Sequence, residues 1–258
     1  MSSLDTNKPF NNSVSEKQFN GFFIPSHNAK IIKESIENGS APFLPDQNGN
    51  LNTIPVFNGN TGYCLNAKDL IPLKVIQGKK SDIVVTYKTV NDAHSRITAG
   101  EKGFFYNFQR EDKTVGTSQF FFLDQVEQPE RVYEAAVKKI ESAKLPKLNK
   151  TVEIQSSNPE EYLGMYVAAC KSGASLKVTP EIAEEFKNNF TEVLNNQLAK
   201  KNERTEGIDR LSDFMFKVDQ KANAINKELY AEQRQVHQKE NEQFKPKQNN
   251  RKPVELER

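Results

Sequence analysis

Apolar residues along this chain change their spacing near residue 129, and the change divides the predicted elements into two groups. Before that point, β-branched and aromatic runs predict three strands, the last two joined as a hairpin: IVVTY at 83–87, GFFYNFQR at 103–110 and SQFFFLDQV at 118–126. Short helices are predicted at 27–38, at 66–77, and at 90–97 after Thr89 as N-cap. Pro72 makes the second of these either a kinked helix or two pieces.

After residue 129 the apolar residues return every three or four positions, which is the spacing of amphipathic helices. Asn158 and Thr179 each stand before a proline, a pattern that predicts an N-cap followed by the first helical turn. The predicted helices cover 129–144, 158–172, 179–200 and 205–240.

These elements predict an α+β fold: a small N-terminal domain with antiparallel strands and short helices, followed by an all-α C-terminal region. Both ends of the chain are polar and aperiodic, which favours disorder. We therefore divide the chain into a disordered leader, a first domain, a helical region and a disordered polar tail, at 1–26, 27–128, 129–236 and 237–258.

Composition narrows the class of protein without identifying a partner. A hydrophobic fraction of 36% and a mean hydropathy of -0.73 indicate a core accompanied by solvated segments. Cys64 and Cys170 have no metal-ligand spacing, which favours reduced intracellular thiols. The N-terminus has no signal-peptide pattern, and no apolar run approaches the ~18 residues of a membrane helix. We therefore expect a cytoplasmic protein without a membrane partner.

Positive charge is concentrated in one quarter of the sequence, although the whole chain carries only +2. Residues 57–110 hold four acidic residues and eight basic ones, namely Lys68, Lys74, Lys79, Lys80, Lys88, Arg96, Lys102 and Arg110. A local surplus of this kind attracts phosphates even when the net charge is small.

Aromatic residues are interleaved with this charge: Phe57, Tyr63, Tyr87, Phe104, Phe105, Tyr106 and Phe108. Because aromatic rings stack on unpaired bases, rings combined with basic groups are typical of proteins that bind single strands. Alternatively, the strand aromatics form a core and the lysines belong to solvated turns. In a strand over 103–110, Phe105 faces the side opposite to Phe104, Tyr106 and Phe108, so at least one of these two faces is expected to be structural.

Three segments carry a more specific pattern: PVFNGNTGYCLNAKDLIPLK at 55–74, SDIVVTYKTVNDAHSRITAGEKGFFYNF at 81–108 and FFFLDQVEQPE at 120–130. Together they resemble the N-terminal single-stranded-DNA-binding domain of the ArdC antirestriction proteins, a domain also found in TraC-type plasmid primases. The positions that match the first two motifs of that family are Asn58, Thr61, Gly62, Asn66, Gly78, Ser81, Thr86, Lys88, Gly100, Glu101, Lys102 and Gly103.

The resemblance implies a protein of a plasmid, phage or other mobile element that binds single-stranded DNA, with an antirestriction or DNA-transfer role. In this hypothesis the phosphates are contacted by Lys79, Lys80, Lys88, Arg96 and Lys102. The bases stack on Tyr63, Tyr87 and Phe105, and Asn66 completes the binding set. The glycines at 100–103 either let the backbone approach a phosphate or simply connect a helix to a strand.

Catalytic motifs are absent from the sequence. Full-length members of the ArdC family carry a zincin-like metallopeptidase domain with a His-Glu-x-x-His motif. Here the three histidines, His27, His94 and His237, have no histidine four residues away, and no P-loop occurs. We therefore expect a protein that is not an enzyme and that needs no metal or cofactor.

Two other functions remain open. The helical half could bind a protein partner or form a homo-oligomer through residues 205–236, where apolar residues lie three and four apart: Leu211, Phe214, Met215, Val218, Ala222, Ile225 and Leu229. The same stripe could instead pack on the protein's own core. An enzyme whose site is assembled from dispersed residues is the other alternative.

Overall fold

The computed structural model describes residues 24–78, 80–109, 115–143, 147–199 and 210–243. In this part of the chain, the first half contains three helices, four strands and a 3-10 turn. They are α1 (Ile24–Glu37), β1 (Phe57–Asn58), α2 (Ala67–Gln77), β2 (Ile83–Thr86), α3 (Tyr87–Asp92), β3 (Phe104–Gln109), β4 (Val115–Phe122) and the 3-10 helix Leu123–Gln125. The three predicted strands are confirmed, and Pro72 lies inside one continuous helix.

Helix α3 begins earlier than the sequence predicted. Its N-cap is Thr86 rather than Thr89, because the Thr86 hydroxyl oxygen accepts a hydrogen bond from the Thr89 backbone N–H at 3.4 Å. The β-branched run therefore ends in the residue that starts the helix, and strand and helix follow each other without a loop.

The second half contains four helices and two short strands within the described residues. They are α4 (Pro129–Ala143), β5 (Thr151–Ile154), α5 (Pro159–Ser172), β6 (Ser175–Val178), α6 (Pro180–Leu198) and α7 (Arg210–Gln243). Asn158 and Thr179 cap α5 and α6 as predicted. The expectation of an all-α region is wrong, because the region also contains β5 and β6. These strands precede and follow α5 in the sequence and pair with each other in parallel. Four residues each are too few to stand out from the adjacent helical patterns.

The larger sheet has the strand order β1-β2-β4-β3 and is mixed, since β1 runs parallel to β2 while the other neighbours are antiparallel. Thr86, Phe120 and Phe104 form one row across β2, β4 and β3. Beyond this row β2 has ended, but the β3–β4 pair continues through Phe108 and Gly116. The hairpin therefore overhangs the end of β2.

The two faces of the larger sheet support two clusters of buried residues. Val84 and the β4 residues Phe120 and Phe122 belong to a large cluster that includes residues of α1, α2, α5, α6 and α7. Ile83 and Val85, which alternate with Val84, belong to a smaller cluster with residues of α3 and α4. The alternation of a strand thus assigns neighbouring β2 residues to different cores.

The large cluster joins residues on both sides of the boundary drawn at 128. Tyr162 of α5 donates a hydrogen bond to the Phe43 carbonyl at 2.9 Å, and Tyr166 donates one to the Asn52 carbonyl at 2.9 Å. Both tyrosines are fully buried. The division into domains stays a prediction, but the segments on either side of it share these contacts.

The apolar stripe of α7 packs against the protein's own core. Leu211, Met215, Val218, Ala222 and Leu229 are buried, and Phe214 and Ile225 pack against the same cluster. Association of two chains through this region stays a prediction. None of the helices within the described residues has the length and apolar character that crossing a bilayer requires.

One carboxylate, which also belongs to a largely buried ion pair, connects the two halves. Both carboxylate oxygens of Asp219, on α7, accept the Ala67 backbone N–H at the start of α2, at 3.0 and 3.1 Å. The Lys171 ammonium of α5 pairs with the same carboxylate at 3.1 Å, and the side chains of Lys171 and Asp219 are only 13% and 16% exposed.

We expect Asp219→Ala to lower the free energy of unfolding by about 2–4 kcal/mol, because it removes a helix cap and leaves a buried ammonium without its partner. Urea denaturation followed by circular dichroism measures this. Glu228→Ala, at an exposed carboxylate of the same helix, should change the value by less than about 0.5 kcal/mol. Equal effects of the two substitutions would contradict the role given to Asp219.

Candidate nucleic-acid interface

A groove of about 460 Å³ lies where the β3–β4 hairpin overhangs the end of β2. One wall is the segment 58–66, which leads from β1 into α2, and the other wall is β3. We call it the ring groove, because its lining includes four aromatic residues: Tyr63, Tyr106, Phe108 and Phe120. Its volume falls within the range of about 300–1,000 Å³ that is usual for ligand clefts.

The first wall is a tight loop closed by backbone hydrogen bonds. The Asn58 N–H donates to the Tyr63 carbonyl at 2.9 Å, and the Gly62 N–H donates to the Asn58 carbonyl at 2.7 Å. The Asn58 side-chain oxygen also accepts the Asn60 N–H at 2.9 Å. This closed loop holds Tyr63 outward, with 64% of its surface exposed.

Asn60 connects this loop to the start of α3. Its side-chain nitrogen donates to the Thr86 hydroxyl at 3.0 Å, and its side-chain oxygen accepts a hydrogen bond from the Thr89 hydroxyl. Tyr87 and Lys88 follow Thr86 directly, so the structure brings them onto a segment next to the loop of Tyr63. Both Tyr87 and Lys88 are exposed.

The second wall presents one face of β3. Tyr106 stacks on Phe120 of β4, with ring centroids 3.9 Å apart, and this contact fixes its orientation. Phe108 stands one position further along the same face and is 40% exposed. Phe105 lies on the opposite face of the strand, away from Tyr63.

The first turn of α2 contributes Asn66 and Asp69 to the groove. Asn66 is the N-cap residue of α2 by position, but its side chain makes no capping hydrogen bond and instead accepts one from the Lys171 ammonium at 3.5 Å. Its amide is exposed at the groove.

The Asp69 carboxyl has an unusual environment. Burial raises its pKa to about 6. The nearby Lys68 ammonium acts to lower this pKa, and the Asp219 carboxylate acts to raise it. Lys68 donates its hydrogen bond to the Asn107 carbonyl of β3, at 2.9 Å. This bond also links α2 to the second wall of the groove.

The basic residues of the hypothesis lie outside the ring groove. Lys80 extends over the Phe122 ring, 5.2 Å from its centroid, and Lys88 pairs with Asp92 at 2.5 Å. Arg96 and Lys102 are exposed on the segment that precedes β3. Lys79 lies outside the described residues. Of the nine predicted site residues, the structure therefore places Tyr63 and Asn66 in the groove.

The Gly-Glu-Lys-Gly turn has a structural role. Gly100 has a φ of +88°, and a Cβ at Gly103 would come within 2.8 Å of the Phe121 ring. Glu101 accepts a hydrogen bond from the Gln125 side chain at 2.5 Å, and the Lys102 carbonyl accepts another at 3.2 Å. The turn thus fixes the start of β3 against the end of β4 and leaves the Lys102 side chain in solvent.

The described residues offer little nucleophilic or metal-binding chemistry. Burial raises the pKa of the Cys64 thiol, at the groove, to about 11 and that of Cys170 to about 12, which keeps both protonated and weakly reactive. No three His, Cys, Asp or Glu side chains within the described ranges lie close enough to hold a metal ion. The absence of enzymatic activity stays a prediction.

Several groove residues were missing from the predicted site: Asn58, Asp69, Tyr106, Asn107, Phe108 and Phe120. A signal existed for some of them, because Tyr106 and Phe108 share a face in any strand over 103–110. The sequence did not indicate which face would be covered. It also gave no reason to place the first turn of α2 beside β3.

No protein-family model matches this sequence, and no curated protein matches it either. Among solved structures, the chain is similar to the crystal structure of the antirestriction protein ArdC from the R388 plasmid, in a metal-free form. The TM-score is 0.52 at 11% sequence identity, over 81% of this chain and 99% of that one. At this identity the likeness shows an ArdC-like fold and nothing finer.

We expect Gly62→Ala to lower the free energy of unfolding by about 3 kcal/mol or more, because a Cβ there would lie 2.2 Å from the Lys139 carbonyl oxygen at a φ of +80°. Gly39→Ala is the matched control, since Gly39 has a φ of +71° with open space around it and should lose only about 1 kcal/mol. Thermal denaturation compares the two, and equal losses would contradict the contact between the loop and α4.

We expect Asp69→Asn to stabilise the fold at neutral pH by on the order of 2 kcal/mol. The folded-state pKa of about 6 lies above the ordinary value of 3.8, so the ionised carboxylate destabilises the folded state at neutral pH. The wild-type protein should gain stability as the pH falls through this window, and the difference between the two proteins should disappear below about pH 4. Urea denaturation at several pH values tests this, and a constant difference would contradict it.

Proposed function

We propose that this protein binds unpaired DNA in the ring groove, in an antirestriction process or another process of a plasmid or phage. The observation that carries the proposal is the convergence of exposed rings from two separate elements on one groove, with Tyr63 on the loop wall and Phe108 on β3. A solvent-exposed ring costs hydrophobic free energy that stacking on a base would recover.

The shape of the groove favours single strands over duplex. Bases can reach rings in a groove only when they are not paired and stacked within a helix, whereas duplex readers present polar groups to the edges of paired bases. The amides of Asn58, Asn66 and Asn107 lie beside the rings and supply donors and acceptors for base edges. The groove therefore suits unstacked bases.

The phosphates would follow the surface outside the groove. Lys80, Lys88, Arg96 and Lys102 are exposed there, and their field acts over about 8–10 Å at physiological salt. The exposed Lys88–Asp92 pair is worth at most about 1 kcal/mol, so Lys88 could exchange its partner for a phosphate at little cost. We further propose that the protein acts by binding and not by catalysis.

The fold similarity supports the biological setting. The solved structure that this chain resembles is that of an antirestriction protein from a plasmid. The loop residues Asn58, Thr61 and Asn66, which match the ArdC motif in sequence, lie in the lining of the groove. The segment that carries the sequence resemblance is thus also a wall of the proposed site.

Fluorescence anisotropy of a labelled single-stranded oligonucleotide tests the proposal. We expect wild-type protein to bind the single strand more tightly than the matching duplex, with an affinity that decreases as salt increases. The double substitution Tyr63→Ala and Phe108→Ala should weaken binding by about 10-fold or more, since each stacked base contributes about 1–3 kcal/mol.

The matched control removes two exposed rings elsewhere, with Tyr133→Ala on α4 and Phe216→Ala on α7. It should bind as the wild type does. Equal weakening by both double substitutions, or tighter binding to duplex, would contradict the ring groove as the site. The charge reversals Lys88→Glu and Lys102→Glu test the phosphate path separately, and unchanged affinity and salt dependence would show that these lysines take no part.

A second candidate function is association with another protein through the outer side of α7. The observation that favours it is Phe216, which is 63% exposed on a helix whose other side is buried. Size-exclusion chromatography with light scattering tests self-association, and a monomer at all concentrations would exclude a homo-oligomer.

A further inference from the structure

One charged side chain lines the ring groove in the described part of the chain, and it is a carboxylate. Among its lining residues in the described part of the chain, Asp69 is the one with an ionisable carboxylate, and no lysine or arginine lines the groove there. The other lining side chains are rings, amides, a hydroxyl, a thiol and an aliphatic group. The Lys68 and Lys171 ammonium groups donate to the lining residues Asn107 and Asn66, which leaves the Asp69 carboxylate as the charged acceptor of the lining. A carboxylate in the lining favours a group with N–H donors, and the rings beside it favour an aromatic face.

Of the four DNA bases, guanine fits this description best. An ionised carboxylate only accepts hydrogen bonds, and its two oxygens can accept a pair of parallel N–H donors. Guanine presents two such donors side by side, N1–H and an N2 hydrogen, on its Watson–Crick edge. Thymine offers a single N–H between two carbonyls, while adenine and cytosine offer an amino group next to a ring nitrogen that would face the carboxylate with its lone pair.

We propose that the ring groove selects an unpaired guanine, whose Watson–Crick edge donates to the Asp69 carboxylate while the rings of Tyr63 and Phe108 contact the base. This inference rests on the proposed function and adds a base preference to it. It makes Asp69 a specificity-determining residue and leaves the exposed basic residues to bind phosphates of any sequence.

The position of Asp69 is well supported for this role. It lies in the first turn of α2, which Asp219 caps through Ala67. The adjacent Lys68 ammonium donates to the Asn107 carbonyl. With a pKa of about 6, the Asp69 carboxyl is mostly ionised at neutral pH. The charged and titratable groups at this corner are Lys68, Asp219, Lys171, the Tyr106 hydroxyl and the Cys64 thiol.

Anisotropy with three labelled thymidine oligonucleotides tests the proposal: one unmodified, one with a single central guanine, and one with hypoxanthine at that place. Hypoxanthine keeps N1–H but lacks the amino group of guanine. We expect wild-type protein to bind the guanine strand on the order of 10-fold more tightly than the thymidine strand, and the hypoxanthine strand at an intermediate affinity.

Asp69→Asn should change the affinity for the thymidine strand and the preference for guanine in opposite directions. Removing the negative charge should make binding of the thymidine strand tighter, whereas the guanine preference should fall to about 2-fold or less. Glu228→Gln removes an equal charge from an exposed site on α7 and should keep the full preference. In the wild type, the preference should also decrease from about pH 7.5 to about pH 5.5 as Asp69 becomes protonated.

Each outcome is decisive. Equal affinity of wild-type protein for all three strands would overturn the base preference and leave the proposed function standing. A guanine preference that survives in Asp69→Asn, or that does not change with pH, would overturn the role of Asp69. Failure of every strand to bind would overturn the proposed function and this inference with it.

Discussion

The Asp219 carboxylate fixes the position of α2, and the ring groove depends on that position. It accepts the first backbone N–H of α2 and pairs with Lys171 of α5, so three helices meet at one charge. Asn66 and Asp69 lie within this first turn and face the groove. A buried charge is stable only when it is paired and hydrogen-bonded. Displacing the first turn of α2 would break these contacts and would therefore cost free energy. These contacts hold the first turn of α2 at the groove.

In the proposed function, the groove and the basic residues outside it would divide the recognition of a DNA strand into two parts. The groove offers rings, amides and one carboxylate, which suit base faces and edges, while the exposed lysines and arginine lie outside it. A carboxylate that repels phosphates would lower the affinity for every strand alike, and only a base with suitable donors recovers that loss. Under this proposal, specificity would come from a difference of affinities more than from strong binding.

Particular residues show how far sequence reasoning reached. The strands of the larger sheet follow from their β-branched and aromatic runs, and the caps Asn158 and Thr179 follow from their position before prolines. The N-cap of α3 is Thr86 and not the predicted Thr89. The side chain of Asn60, which is distant in sequence, forms hydrogen bonds with the hydroxyls of both threonines. β5 and β6 were not predicted because each has only four residues and pairs with a strand on the other side of α5 in the sequence.

The sequence alone determined which residue types could bind a strand, because periodicity and composition are local properties. It placed rings such as Tyr63 and basic residues in the same quarter of the chain and marked Asn66 through its motif. The tertiary structure decided which of them meet. It placed the face of Tyr106 and Phe108, and not that of Phe105, at the groove and left the basic residues outside it. It also brought Asp69 beside β3, because the meeting of α2, α7 and the hairpin depends on contacts between residues far apart in the chain.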